Sequence, residues 1–374
     1  MTAARPPAGA RPAVRKAQAP RGRYKVALVM IVRNEAPRVV RALSSVRHCV
    51  DEMVVLDTGS TDATVALARS AGARVGHFDW CDDFAAARNA ALELADADWN
   101  VVLDADEWIA EAGIDLLALR HTPPDFVGTL RVDSDFDTPL GVSVAPSWLA
   151  RVLPRGVRYE GHVHEQPVHR LETRRLPTVL AHDGYRADAL KAKAGRNADL
   201  LARALAQAPD DAYLHYQIGK DHDVYERWAD ACAHFSRSRA CEQSSGAGVT
   251  LLGTAPGWHH DRLVREMHAL KKCRQHAQGV LLAEGAMAAW SHSPDFFFAL
   301  GDLLLDWATE EPARAAELLP MIESAWLRCL EIGERPDLEG SVAGRGSTLA
   351  ARNLVVLYEG TGRAIEALKL KQSH

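Results

Sequence analysis

In VALVMIVRNEAPRVVRALSSVRHCVDEMVVLDTGSTD, residues 26–62, two short apolar runs bracket a segment with helical spacing. VALVMIV (26–32) is too short and too rich in β-branched residues for a stable helix, and reads as a buried strand. Pro37 stands where a first helical turn begins, and the helical pattern continues to about Arg47. EMVVLD (52–57) is a second strand, followed by the polar loop TGSTD and a helix over about 62–71. Working outward, ARVGHF (73–78) predicts a third strand, FAAARNAALELADA (84–97) a helix, and WNVVLDAD (99–106) a fourth strand ending in acids. Strands alternating with helices at this spacing imply parallel βαβ units, hence an α/β domain. Its functional loops should lie at the carboxyl ends of the strands, where Arg33, Asn34, Glu35, Asp57, Asp104 and Asp106 fall.

Residues 125–185 are less regular, with strand-like pieces at VGTLRVD, PSWLARVL and RLPTVLAH, and read as the second half of the same domain. From about Asp188 the texture becomes helical, with Ala, Leu and small residues at helical spacing. Asp210 and Asp211 stand where a helix through YLHYQIGK needs a cap. Helix pairs with small residues at the crossing return at PDFFFALGDLLLDWA, EPARAAELLPMIESAWLRCLEIG and STLAARNLVVLYEGTGRAIEALKL. That is the signature of tetratricopeptide-like repeats. The expected division is a basic disordered tail (1–23), an α/β domain (24–187) and an all-α repeat domain (188–374).

Bulk composition agrees with a folded body. The chain has 374 residues, 47% hydrophobic and 25% charged, which excludes a wholly disordered or fibrous protein. No apolar run reaches the ~20 residues of a membrane span, and the start lacks the apolar core of a signal peptide. The six cysteines form no CxxC pair, so reduced structural thiols in a cytoplasmic protein are expected rather than a disulfide frame. The net charge of −5 understates the acidity of the body. Residues 1–25 contain Arg5, Arg11, Arg15, Lys16, Arg21, Arg23 and Lys25 and no acid. An acidic body argues against a nucleic-acid surface.

The sharpest chemical signal is DADE, 104–107. Two carboxylates separated by one residue at a strand end can turn toward one point. Such hard oxygen ligands suit Mg²⁺ or Mn²⁺, which can hold the diphosphate of a nucleotide. The competing reading is a solvated loop with a capping Asp.

The order strand–RNE, strand–DTGSTD, HFDWCDDFAAARNAAL, VVLDADE resembles the inverting family 2 glycosyltransferases of the GT-A fold, from roughly Lys25 to Tyr185. The resemblance implies transfer of a sugar from a nucleotide-diphosphate donor, a UDP-sugar by family frequency, with Mn²⁺ or Mg²⁺. VALVMIVRNE looks like the family's opening strand and nucleotide-facing turn, with Arg33 and Glu35 near the donor. Asp57 stands at the position that hydrogen-bonds the nucleobase. Arg88 and Asn89 stand in the helix that lines the donor pocket. Asp106 is the implied direct metal ligand, and Asp104 the contact to ribose or to a metal-bound water. Each position also has a plainer reading. Glu35 could start a helix, Asp62 could be an N-cap, and Arg88 could pair with Asp82 or Asp83; Trp80 and Phe84 read as packing residues. Asn89 is otherwise disfavoured inside a helix.

The second signal is YEGHVHEQ, 159–166. On a strand His162 and His164 would point the same way, with Glu165 opposite His164. A zinc hydrolase would need HExxH spacing, which is missing. In family members that carry helical repeats, a similar GxxHEQ segment follows the metal motif and a His-x-Gly-Tyr closes the domain, here His182 to Tyr185. The resemblance makes Glu165 the candidate base, with Asp133, Asp135 and Asp137 remaining as alternatives, and His182 a candidate for the metal or diphosphate site.

The Gln-x-x-Arg-Trp motif of processive polysaccharide synthases is missing, so a single sugar transfer is expected. The repeats would select a peptide, protein or glycan acceptor on a concave surface. A dehydrogenase is disfavoured because no GxGxxG follows VALVMIV. A sugar nucleotidyltransferase would want a Gly-rich basic loop where RNEAPR stands. The non-enzyme alternative is a repeat scaffold carrying an inactive transferase domain.

Overall fold

A computed structural model describes residues 22–111, 113–138, 141–185, 196–244 and 257–373. The first half forms strands β1 (Val26–Val32), β2 (Glu52–Asp57), β3 (Arg74–His77), β4 (Trp99–Val102), β5 (Glu107–Glu111), β6 (Phe126–Thr138), β7 (Gly141–Pro154) and β10 (Glu172–Tyr185). They make one eight-stranded mixed sheet in the order β3-β2-β1-β4-β7-β6-β10-β5. The hairpin β8 (Arg158–Glu160) and β9 (Gln166–Val168) stands apart from it. Pairings β1–β2, β1–β4 and β2–β3 are parallel, as the alternating pattern predicted, whereas β7 enters antiparallel to both β4 and β6.

The continuous apolar runs follow from a sheet covered on both faces. Along β1, Val26, Leu28, Met30 and Val32 join one core cluster, while Ala27 and Val29 join the other. β2 splits in the same way, Met53 and Val55 against Val54 and Leu56. Helix α1 (Val39–Val46) packs Val39, Ala42, Leu43 and Val46 on the first face, joined by Ala68 of α2 (Thr64–Ser70) and Leu116 of α4 (Ile114–Ala118). Helix α3 (Phe84–Ala95) packs Ala85, Ala91, Leu92 and Ala95 on the second. Its alanines let the helix lie close to the sheet.

The second half is helical: α5 (Arg196–Gln207), α6 (Ala212–Val224), α7 (Trp228–Ser244), α8 (Trp258–Lys272), α9 (His276–Trp290), α10 (Pro294–Glu310), α11 (Ala315–Ile332), α12 (Thr348–Gly360) and α13 (Ala364–Ser373). Asp211 caps α6 by accepting from the Leu214 amide at 2.9 Å. At the α6–α7 crossing Gly219 faces the Phe235 ring, and any Cβ there would overlap it, which is why the crossing demands a small residue. Among the described residues no helix is long and apolar enough to cross a membrane.

The two halves share a core. Val163, Leu200, Leu201 and Ile218 are buried together, with Trp80, Phe84 and Leu214 packed against them. Trp80 and Phe84, expected to be packing residues, meet edge to face at 4.8 Å in this cluster. The segment between α11 and α12 adds backbone ties: Trp148 Nε1 donates to Pro336 O at 3.0 Å and Ala343 N to Val144 O at 3.1 Å. Tail residues 1–21 and the expected division at 187–188 lie outside the described residues. Arg23, assigned to the tail from sequence, donates to Asp51 at 2.5 Å.

Candidate active site at the end of the parallel strands

Polar side chains converge past the carboxyl ends of β1 and β4. β4 ends at Val102, earlier than expected, so Asp104 and Asp106 lie in the turn that leads into β5. The RNE and TGSTD loops are stitched together beside them. Asn34, at φ 58°, donates its amide to Ser60 Oγ at 2.9 Å, and its side chain accepts from Thr61 N at 2.8 Å. Asp62 accepts from the Thr64 and Ala36 amides at 2.9 and 3.2 Å and so ties the two loops together ahead of α2, but the N-cap position itself falls on Ala63, which corrects the reading of Asp62 as the cap.

Arg88 is the hub. Asp83 caps α3 by accepting from Ala86 N at 2.9 Å, and Phe84 N donates to His162 O at 2.9 Å, which ties the helix start to the β8–β9 loop. One turn on, the buried Arg88 donates from Nη2 to Asp104 Oδ1 at 2.8 Å and from Nε to Glu165. Its pairing with Asp82 or Asp83 is therefore replaced by these two carboxylates. Arg88 Nη1 is buried without a hydrogen-bond partner among the described residues.

Asp104 is clamped from the other side by Arg151 of β7, which donates to Oδ2 at 3.0 Å and also to Glu107. Burial pushes the Asp104 carboxyl up, but the two guanidiniums outweigh it and hold the group well below the usual carboxylate range. Arg151 and Glu107 were missed from sequence. A lone arginine at an inward position within PSWLARVL was the available signal, because a buried guanidinium requires carboxylate partners.

Asp106 is buried beside His182 of β10, with Oδ2 to Nε2 at 3.5 Å. Ser134 Oγ meets His182 Nδ1 at 3.0 Å, which orients the ring with Nε2 toward Asp106. Gly184 faces the same point, and a Cβ there would overlap both His182 Nε2 and Asp106 Oδ2. A carboxylate and an imidazole converging on a cradle that admits no side chain fit a divalent ion of the Mn²⁺ or Mg²⁺ class.

The expectation that His162 and His164 share a strand face is corrected. Residues 161–165 form the loop between β8 and β9, with Gly161 at φ 97° and His164 at φ 54°. His162 turns outward to Asp83 at 3.1 Å. His164 turns into the cleft, where burial, helped by Lys220, pushes its pKa down to about 4, so the ring is neutral at physiological pH.

A cleft of about 1150 Å³ collects these groups. Of the expected site residues, Arg33, Glu35, Arg88, Asp104, Asp106, Glu165 and His182 line it. Asp57 and Asn89 lie off its wall. Buried Asp57 accepts from the Gly59 and Ser60 amides, shaping the loop whose neighbour Thr58 does line the cleft. Asn89 spends both ends of its amide on the Tyr159 backbone, Nδ2 to O at 2.9 Å and N to Oδ1 at 2.8 Å, and so holds β8 against α3. Among the alternative bases, Asp133 is paired with Arg131 at 2.9 Å, whereas Asp137 lines the cleft.

Residues 27–148 match the protein-family model for glycosyl transferase family 2. The chain carries a family 2 glycosyltransferase domain. It is 39% identical over 212 residues to a TPR repeat-containing protein of Synechococcus elongatus, covering 52% of this chain and 51% of that one. It is 26% identical over 218 residues to the SPbeta prophage-derived glycosyltransferase SunS of Bacillus subtilis, covering 56% and 52%. The chain thus spans about half the length of each of these relatives. Among solved structures, glucosyl-3-phosphoglycerate synthase of Mycobacterium tuberculosis, in complex with Mn²⁺ and UDP, is 25% identical over 31% of this chain and 45% of its own, with a TM-score of 0.25.

Proposed function

We propose that this chain is a glycosyltransferase that moves a single sugar from a nucleotide-diphosphate donor, of which a UDP-sugar is the form the family resemblance implies, to a peptide, protein or glycan acceptor. The reading is carried by the meeting of Asp106 and His182, beside Gly184, on the wall of a cleft of about 1150 Å³ that opens onto the segment matching family 2.

Asp106 and His182 would hold the Mn²⁺ or Mg²⁺, and the ion, when bound, neutralises charge on the departing diphosphate. The remaining steps fall to the chain itself. Arg33, and Arg88 through its unpartnered Nη1, supply positive charge toward the phosphates. Asp104, held between Arg88 and Arg151, stays ionised to accept from the donor's ribose or from an ordered water. Asp57 and the loop it shapes bound the nucleobase end.

In an inverting transfer the acceptor's nucleophilic atom bonds to the anomeric carbon as the bond from that carbon to the diphosphate oxygen breaks. The acceptor's proton passes to Glu165, and the nucleoside diphosphate leaves. Glu165 sits between Arg88 and the helical half, with the adjacent Gln166 donating to Tyr213 OH at 3.0 Å.

Calorimetric titration of UDP tests this reading. Wild type and Glu165→Gln should both bind UDP with Mn²⁺ and fail to bind it in EDTA. Transfer should fall by about 10²–10⁴-fold in the variant, the usual contribution of a positioned base. Loss of UDP binding in Glu165→Gln would move that residue from base to donor ligand.

A further inference from the structure

The cleft does not stop at the sheet. Beyond Gln166 its wall is helical, formed by Tyr213, Lys220, Trp258, Asp261 and Glu339 among others. The hydrogen bond from Gln166 to Tyr213 OH joins this half directly to the loop that carries Glu165.

Most charges on the helical wall are matched. Arg265 binds Asp261 at 2.8 Å and Asp223 at 2.6 Å. His268 faces Asp223 at 3.5 Å, and Lys220 stands 4.0 Å from Asp261. Asp261 also accepts from Tyr216 OH at 2.6 Å, and Arg345 is tied to Asp295 at 3.0 Å. Against this background Glu339 is the odd group. Its backbone is anchored, since its carbonyl meets His260 Nδ1 at 2.7 Å, and its Oε2 lies against Gly257 at the start of α8, yet no hydrogen bond or ion pair involves its carboxylate among the described residues. Burial, reinforced by the like charge of Asp261 and opposed by Lys220, pushes its pKa up to about 7. Aromatic rings are its neighbours: its charge reaches the Tyr213 and Tyr216 phenols, its contact at Gly257 adjoins Trp258, Tyr216 stacks on Trp258 at 5.1 Å, and Tyr213 meets Trp258 edge-on at 5.6 Å.

We propose that Glu339 is the acceptor-recognising residue of the helical half: it seats a protonated nitrogen group of the acceptor against the Tyr213 and Trp258 rings, while the sugar-accepting atom reaches past Gln166 toward Glu165. A half-desolvated carboxylate beside aromatic rings is complementary to a cation, which restores its missing partner and gains from the ring faces. The proposal rests on the transferase reading only for the word acceptor; the cation site itself stands on the cleft wall. A basic peptide side chain and an amino sugar share this chemistry.

The test uses the full chain with Mn²⁺ and UDP and two probe pairs that differ in charge. They are Nα-acetyl-arginine amide against Nα-acetyl-citrulline amide, and glucosamine against N-acetylglucosamine. The cationic member of one pair should bind about tenfold tighter than its neutral twin, the size of one charge-assisted hydrogen bond, and the pair that discriminates identifies the source. That preference should vanish in Glu339→Gln and strengthen in Lys220→Gln, which removes a competing ammonium. For the arginine pair, whose guanidinium stays charged throughout, it should also grow between pH 6 and 8, because only the ionised carboxylate holds a cation. The groups facing it are Lys220, Tyr213 and Tyr216 from α6 and His260 and Asp261 from α8. Equal binding of both twins, or a preference that survives Glu339→Gln, overturns the proposal. If Glu339→Gln fails to fold, an unchanged preference in Lys220→Gln overturns it instead. Absence of Mn²⁺-dependent UDP binding, with the cation preference intact, would count against the transferase reading and leave the cation site standing.

Discussion

Asp106→Ala should abolish donor turnover, by about 10³-fold or more, while leaving the fold intact. The residue lies in a turn rather than inside a strand, and its carboxylate is directed at His182 and the Gly184 cradle. Removing it deletes a hard-oxygen ligand but opens no large apolar cavity. An oxygen ligand to a divalent ion that stabilises a leaving diphosphate supplies several kcal/mol, which sets the scale of the loss. The checking measurements are nucleoside-diphosphate release with Mn²⁺ and a thermal melt of the same sample. Retained turnover would remove Asp106 from the metal site.

Arg151→Met should act in the opposite manner, on the fold first and on the chemistry through it. Arg151 is buried and binds both Asp104 and Glu107. The substitution keeps the side chain's bulk but leaves two carboxylates facing each other without their shared cation. Breaking a buried ion pair from one side costs about 3–5 kcal/mol, enough to lower the melting temperature by roughly 10 °C in a domain of this size.

The pH profile separates this from simple loss of packing. The folded pKa of Asp104 lies below its unfolded value of about 3.9. Its stabilising contribution is therefore fully present above that value and is lost as pH falls through the folded pKa. Without Arg151 the folded pKa rises toward the unfolded value, so Asp104 no longer adds to the loss of stability in acid, and the gap in melting temperature between variant and wild type should narrow as pH falls below about 4. A gap of the same size at every pH would mean that Arg151 serves packing alone.

Arg151 also marks where sequence reading stopped. β1 and β2 were legible because a parallel strand buried on both faces must be apolar at every position, and VALVMIV and EMVVLD are. The acids after WNVVL were legible because carboxylates at a strand end have no packing use. Arg151 reaches Asp104 only because β7 enters the sheet antiparallel to β4, and pairings between strands so distant in sequence leave no local periodicity. The same limit applies to Glu339, which arrives from a segment between helices far down the chain.

Asn89 shows a different failure. Its presence in a helix interior correctly signalled a task, but a residue's type does not distinguish a ligand contact from a backbone clamp on Tyr159. The alternation in HVH predicts a shared strand face for His162 and His164. The neighbouring Gly161, with its positive φ, breaks the strand and turns the two rings to different sides of the loop.

The central claim is that the acids after β4 serve nucleotide-sugar chemistry, and donor hydrolysis tests it most directly. Purified protein would be incubated with a panel of nucleotide-sugars and Mn²⁺, and released nucleoside diphosphate measured with and without EDTA. Slow release from one donor, abolished by chelation, is the expected result and would also name the sugar. No release from any donor, together with no Mn²⁺-dependent binding of any nucleoside diphosphate, would contradict the claim.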